Sequence, residues 1–291
     1  MKEITRLLFH MQHCRGLGNK GTKRLLSQLS DPMKIYNLPL SSIMRLSGST
    51  ALHAELFYSD FHTFNIDYYQ EYYQQHDIHW ISIYDENYPD LLKNVYDPPF
   101  ILFMKGRREL LEFQTKLAVV GSRQATSYTC DNLRILMPGL AEKNVVIISG
   151  LARGADTMAH KSAIRAGAPT IGVIAGGFHH IYPRENIQLA EYMMKEQLLI
   201  SEYPPDTKPQ KWHFPFRNRI ISGLSQAILV TEAQKKSGTF ITADYALNEG
   251  RDILCIPGSV NQKLSEGTNT LIKEGAKMVL SIEDIFFELD V

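Results

Sequence analysis

Short apolar runs recur along the last two thirds of this chain, at 117–120, 145–148, 170–174, 198–200, 227–230, 253–256 and 278–280. Helical patterns separate most of them, at 128–143, 155–166, 185–196, 239–249 and 268–274. Strands of a parallel sheet are buried on both faces and read as near-continuous hydrophobic runs, and each needs a crossover before the next. The spacing therefore predicts an α/β fold with an extended, Rossmann-like, doubly wound and mostly parallel sheet. Ligands of such a fold sit beyond the carboxyl ends of the strands, so the residues after each run carry the functional information.

The richest of these junctions is VVIISGLARGADTMAH at 145–160, which holds Gly150, Arg153 and Gly154. A buried strand, a glycine turn and a helix start aim backbone N–H groups and the positive end of a helix dipole at one spot, which suits a phosphate. Neither a GxxxxGK[ST] loop nor a GxGxxG string occurs. A simpler reading stays open, in which the glycines only let the turn pack tightly.

The neighbouring junctions repeat the theme. The first run ends in Gly121, Ser122 and Arg123, where amides, a hydroxyl and a guanidinium can wrap an anion. The third leads to YPREN at 182–186, with Arg184 at a helix start after Pro183. The fourth opens a long loop that closes on FPFRNR at 214–219 and brings Arg217, Asn218 and Arg219. After the fifth, Ser237 and Gly238 cap a helix. Four crossings that carry an arginine or an amide cluster to one edge argue for anion binding. For any single arginine an ion pair is the alternative, Arg219 with Glu232 or Arg153 with Asp156.

Composition narrows the class. The length of 291 residues fits one α/β domain plus a smaller one, and 31 basic residues balance 31 acidic ones, so a polyanion surface has to come from local sorting of charge. Cys14, Cys130 and Cys255 are few and far apart, which predicts reduced thiols in a cytoplasmic protein. No membrane span is expected. His160, His179, His180 and His213 lack metal-ligand spacing, and no GxSxG or HExxH string occurs, so no catalytic residue, metal or cofactor is expected.

Residues 1–75 read as successive helices, with a glycine hairpin in GLGNKGTKRLL that resembles sterile-alpha-motif and helix-hairpin-helix modules. Phe57, Phe61, Phe64, Tyr68 and Tyr72 fall at helical spacing and predict one helix face packed on a core. Two domains are expected, 1–75 helical and 76–291 Rossmann-like.

Taken together, GSR at 121–123, SGLARGAD at 149–156, YPREN, SEYPP at 201–205, FPFRNRIISGLS at 214–225, EAQKKSGTFITADYA at 232–246 and GTNTLIKEGA at 267–276 resemble the DNA-processing protein A (DprA/Smf) family. The resemblance implies binding of incoming single-stranded DNA during natural transformation, loading of RecA recombinase onto it, and a homodimer. It implicates Gly121, Ser122, Arg123, Arg184, Arg217 and Arg219 in DNA contact, with Arg153, Ser237 and Gly238 at the same edge. Phe178, Phe214 and Phe216 are candidate stacking platforms, and the last two read equally well as loop anchors. Ala175 and His179 depart from the family's third turn, and no C-terminal winged helix is expected. The competing reading is a nucleotide or nucleoside-phosphate hydrolase of the lysine-decarboxylase-like Rossmann type, whose PGGxGTxxE pattern is not matched at 255–259 or 237–240.

Overall fold

The computed structural model describes residues 2–235 and 237–291. Two compact units are present: the residues up to Tyr88 with Pro99–Phe103 and Glu202–Pro204 form one, and Pro89–Pro98, Met104–Ser201 and Pro205–Val291 form the other.

The first unit contains α1 (Glu3–His13), α2 (Asn19–Ser27), α3 (Leu40–Ser47), α4 (Ala51–Thr63), α5 (Ile66–Gln75) and the strand β1 (His79–Ser82). Leu7, Met11, Leu25, Ile35, Ile43, Phe57 and Phe61 make its apolar cluster. Gly16 has φ +93° and lies so close to α4 that a Cβ would fall 2.1 Å from the His53 carbonyl oxygen, so packing and conformation both require glycine at this hairpin. The aromatic series from Phe57 to Tyr72 is not one helix face. Asn65 Oδ1 accepts from the Tyr68 N–H at 3.1 Å and caps α5, which leaves Phe64 in the break after α4. A local cap thus overrides the periodic pattern, and Tyr68 ends up exposed while Phe57, Phe61 and Tyr73 are buried.

The second unit holds the short helix α6 (Asp90–Lys93), and β2 (Ile101–Gly106) is divided between the units. Seven strands follow, β3 (Lys116–Val120), β4 (Val146–Ser149), β5 (Thr170–Ile174), β6 (Leu198–Ser201), β7 (Ala227–Val230), β8 (Asp252–Cys255) and β9 (Lys277–Met278). They lie parallel in the order β6-β5-β4-β3-β7-β8-β9, as the spacing predicts. The order reverses between β3 and β7, because β4 to β6 extend the sheet one way and β7 to β9 the other.

The helices of this unit are α7 (Ser127–Glu142), α8 (Ala155–Ala166), α9 (Ile187–Glu196), α10 (His213–Gly223), α11 (Gly238–Asn248), α12 (Glu266–Lys273) and α13 (Ile282–Leu289). Leu117, Ile147 and Leu229 of the sheet meet Leu133 of α7, Ala159 of α8 and Ile285 of α13 in one core cluster. The FPFRNR string forms α10 and not the end of a loop. Pro215 falls in the first turn of α10, where a missing N–H loses no intrahelical bond. No helix among the described residues is long and apolar enough to cross a membrane, and all three cysteines are free.

His160 on α8 is fully buried and fixes the turn after β4. Its Nε2 donates to the Gly150 carbonyl at 2.6 Å, and its Nδ1 lies 2.7 Å from Thr170 Oγ1. Burial lowers its pKa from 6.5 to about 4. The unfolded imidazole takes up its proton first as pH falls, so the stability this residue contributes is complete above pH 6.5 and is lost between about 6.5 and 4. We expect denaturant titrations to show stability falling through that window with a slope of up to ~1.4 kcal/mol per pH unit from this one group. His160→Gln should flatten the slope; an unchanged slope would contradict the assignment.

Candidate functional site

A cleft of about 910 Å³ opens at the carboxyl ends of β3 and β7, where the strand order reverses. Gly121, Ser122 and Arg123 after β3, Phe214, Arg217 and Asn218 on α10, and Ser237, Gly238 and Thr239 at the start of α11 line it, together with Asp156, Tyr182 and Lys211. Seven residues predicted from sequence therefore meet in one place: Gly121, Ser122, Arg123, Arg217, Asn218, Ser237 and Gly238. Gly150, Arg153, Gly154, Arg184 and Arg219 do not line it.

The first turn is closed by its own hydrogen bonds. Ser122 N–H donates to the Glu232 carbonyl at 2.7 Å, and Gln124 N–H donates to Ser122 Oγ at 3.0 Å, which leaves the serine hydroxyl hydrogen available to an acceptor in the cleft. Gly121 is required by close approach, since a Cβ would sit 2.6 Å from Thr231 Oγ1 and 2.8 Å from Ala155 Cβ. Arg123 is exposed, lies with its Cζ 5.9 Å from the Phe214 ring centroid, and has no carboxylate partner among the described residues.

The second turn is not an open phosphate cradle, because the protein fills it with its own anion. Asp156, in the first turn of α8, accepts from the Ala152 N–H at 3.2 Å, and the Ala155 N–H is taken by the Ser122 carbonyl at 3.1 Å. Burial pushes the Asp156 carboxyl above its ordinary range, and the facing Arg217 guanidinium draws it back toward the ionised form. Arg217 stands 3.7 Å from Asp156 Oδ2 and donates from Nη1 to the Val173 carbonyl at 2.6 Å. It is only 6% exposed, so its charge is engaged inside the protein and not offered to solvent.

The glycines of this turn serve packing. A Cβ on Gly150 would fall 1.9 Å from Arg217 Nη1, and one on Gly154, which has φ +71°, would fall 2.3 Å from the Ser122 carbonyl oxygen. Arg153 is exposed and pairs with Glu185 at 2.8 Å, where Asp156 was the expected partner. Asn186 of the YPREN string donates from Nδ2 to the Leu151 carbonyl at 2.9 Å and so ties the third turn to the second.

Arg184 is exposed at the start of a 3-10 turn at Arg184–Asn186. Arg219 is 3% exposed, lies 3.9 Å from Asp97 Oδ2 and has its guanidinium carbon 5.7 Å from the Phe216 ring centroid. Glu232, the partner suggested by sequence, instead accepts from Thr126 N–H at 2.7 Å, Thr126 Oγ1 at 2.9 Å and Thr129 Oγ1 at 2.7 Å, filling the N-terminus of α7. Phe178 is buried and supplies no platform; Phe214 lines the cleft with Tyr182 at 5.6 Å between centroids. His179 meets Asp206 at 2.7 Å, which places a carboxylate from another segment beside this turn.

Among the described residues, one helix N-terminus at the cleft carries no internal carboxylate. Ser237, at the N-cap of α11, makes no side-chain cap, and its Oγ is buried without a hydrogen-bond partner among the described residues. The exposed Lys211, which sequence reading missed, lines the same cleft; its only signal was its place three residues before Phe214. Among the described residues no group of three His, Cys, Asp or Glu side chains could hold a metal ion.

Fold and cleft together define a Rossmann-like α/β protein with a cleft lined by basic and hydroxyl side chains at its strand-order reversal. Residues 79–290 match the family model of DNA recombination-mediator protein A, and the chain belongs to that family. It is 50% identical over 217 residues to the DNA processing protein DprA of Bacillus subtilis strain 168, covering 75% of this chain and 73% of that protein. The X-ray structure of DprA from Streptococcus pneumoniae superposes over the whole of both chains, with a TM-score of 0.85 and 36% identity. DprA from Helicobacter pylori, whose structure is described as showing a single-stranded DNA binding mode, covers 73% of this chain and 95% of its own at a TM-score of 0.66 and 30% identity.

Two arginines of one cleft should therefore respond differently to substitution. Arg217→Met leaves the buried Asp156 without its counter-charge and should destabilise the fold by about 3–5 kcal/mol in urea unfolding. Arg123→Ala should stay within about 0.5 kcal/mol of the parent. Equal effects would contradict the inward role of Arg217.

Proposed function

We propose that this chain binds single-stranded DNA in the cleft at β3 and β7 and acts without turnover as a recombination mediator that loads RecA. The observation that carries the reading is that an exposed Arg123 without an ion pair, an α11 N-terminus without a side-chain cap and a buried Ser237 Oγ without a hydrogen-bond partner, all among the described residues, line one cleft. Amides, a hydroxyl and a guanidinium are the donors that phosphodiester oxygens take. Gly121, Ser122, Arg123, Ser237 and Gly238 form the phosphate site of this reading, with Lys211 added. Asn218 borders it. Gly150, Gly154, Arg217 and Arg219 shape it from within, and Arg153 and Arg184 stand at its margin.

The single-stranded DNA binding described for the H. pylori relative supports the choice of ligand. The family's description as a recombination mediator supports a RecA partner, and the resemblance supports a cytoplasmic homodimer. Against the hydrolase alternative, the carboxylates of Asp156 and Glu232 are both engaged in holding helix N-termini, which leaves neither poised to attack a glycosidic bond.

Purified protein should retard single-stranded oligonucleotides well ahead of duplex of the same length. Arg123→Ala should weaken that shift and lower the slope of log affinity against log salt by about one unit, as one lost phosphate contact requires. Equal affinity for duplex, or an Arg123→Ala protein that binds as the parent does, would sink the assignment. Faster assembly of RecA on a coated strand, and a two-subunit mass in sedimentation, are the expected results for the partners. Release of free base from nucleoside monophosphates would favour the hydrolase.

A further inference from the structure

The helical unit shows a sorting of charge that the cleft does not use. Between Gly16 and Gly48 stand Lys20, Lys23, Arg24, Lys34 and Arg45 against one acid, Asp31. From Ser49 to Tyr88 there are seven acids and no lysine or arginine. Part of the acidic stretch is engaged within the unit: Arg15 holds Asp60 at 2.8 Å, Arg6 holds Asp67 at 2.9 Å, His79 meets Asp77 at 2.9 Å, and Asp85 accepts from the Ser82 N–H at 2.8 Å. The basic stretch is not. Lys20, Lys23, Arg24 and Arg45 are all exposed, and none has an ion-pair partner among the described residues.

Geometry gathers these four cations. Lys20, Lys23 and Arg24 fall at i, i+3 and i+4 on α2, away from the buried Thr22 and Leu25. The Arg24 guanidinium reaches the end of α3, where a Cβ on Gly48 would fall 2.1 Å from its Nη1, and Gln28 Nε2 donates to the Leu46 carbonyl at 3.1 Å. Arg45 stands on that same last turn of α3, and α2 has no acid in its first turn. Unpaired like charges held together on rigid helices gather counterions, and a polyanion that displaces those counterions gains their entropy of release. A second copy of the chain is a poorer partner, since its 31 acids are balanced by 31 basic residues, whereas a phosphodiester backbone is negative throughout.

We propose that the α2–α3 face, through Lys20, Lys23, Arg24 and Arg45, binds the phosphodiester backbone of nucleic acid without regard to strandedness, as a contact additional to the cleft. The choice of nucleic acid among polyanions rests on the reading of the cleft. Arg24 supports Gly48, so the test uses the other three residues in the full chain, as Lys20→Gln/Lys23→Gln/Arg45→Gln.

At low salt the parent should bind a mixed-sequence duplex weakly, and the triple variant should lose about tenfold or more of that affinity with a salt slope lower by about 2 to 3 units. Lys20→Arg/Lys23→Arg should bind duplex as the parent does, and an unchanged melting temperature checks that the triple variant is folded. Arg123→Ala should leave duplex affinity unchanged while weakening single-strand binding, so failure of the cleft reading and failure of this one give different results. A triple variant that holds duplex as tightly as the parent, or a parent that binds no duplex at low salt, would overturn the proposal. So would a triple variant whose only change is its sedimentation coefficient, since that would identify the face as a protein contact.

Discussion

The contact between Arg217 and Asp156 holds the cleft in shape. Arg217 comes from α10, Asp156 from the start of α8, and the carbonyl that Arg217 also grips belongs to Val173 of β5. One guanidinium thereby joins three elements that are far apart in sequence. A buried pair of this kind adds little stability over a well-packed apolar substitute, yet removal of one partner leaves an uncompensated charge. Gly150 exists in this setting because only a residue without Cβ allows the guanidinium so near, and His160 anchors the carbonyl of that same glycine.

A consequence is a division of labour among helix N-termini that look alike in sequence. The turn before α8 is held by Asp156 and the N-cap of α7 by Glu232, each a carboxylate from within the chain. These internal carboxylates take donors that a bound phosphate would take elsewhere. Among the described residues the start of α11 has no such plug, and it lines the same cleft as Arg123, which makes no ion pair there. Under the function proposed above, this one open position would take a phosphodiester group of the strand.

Much of this was legible in sequence. The alternation of apolar runs and helical patterns located the seven parallel strands to within a residue or two, because β3 to β7, buried on both faces, leave little choice of side-chain polarity, and β8 and β9 kept the same spacing although β9 is exposed. The edge of the sheet that carries the cleft followed from topology alone. What could not be read was the direction of each arginine. Arg123, Arg217 and Arg219 all follow strand ends, but burial turns the last two inward, and burial is set by packing between α10 and segments distant in sequence. The glycines at 150 and 154 signalled a close approach correctly without revealing that the approaching group was the protein's own. Likewise the aromatic series after Phe57 kept its helical period across a helix break that Asn65 caps with one hydrogen bond.

The account stands on where the first phosphate sits. A crystal structure of the chain with a short oligothymidylate should place a phosphate between the Arg123 guanidinium and the Gly238 amide, within hydrogen-bond reach of Ser122 Oγ, with Arg217 still on Asp156. A phosphate bound at the turn from Ser149 to Asp156, with Arg217 swung out to meet it, would contradict the account.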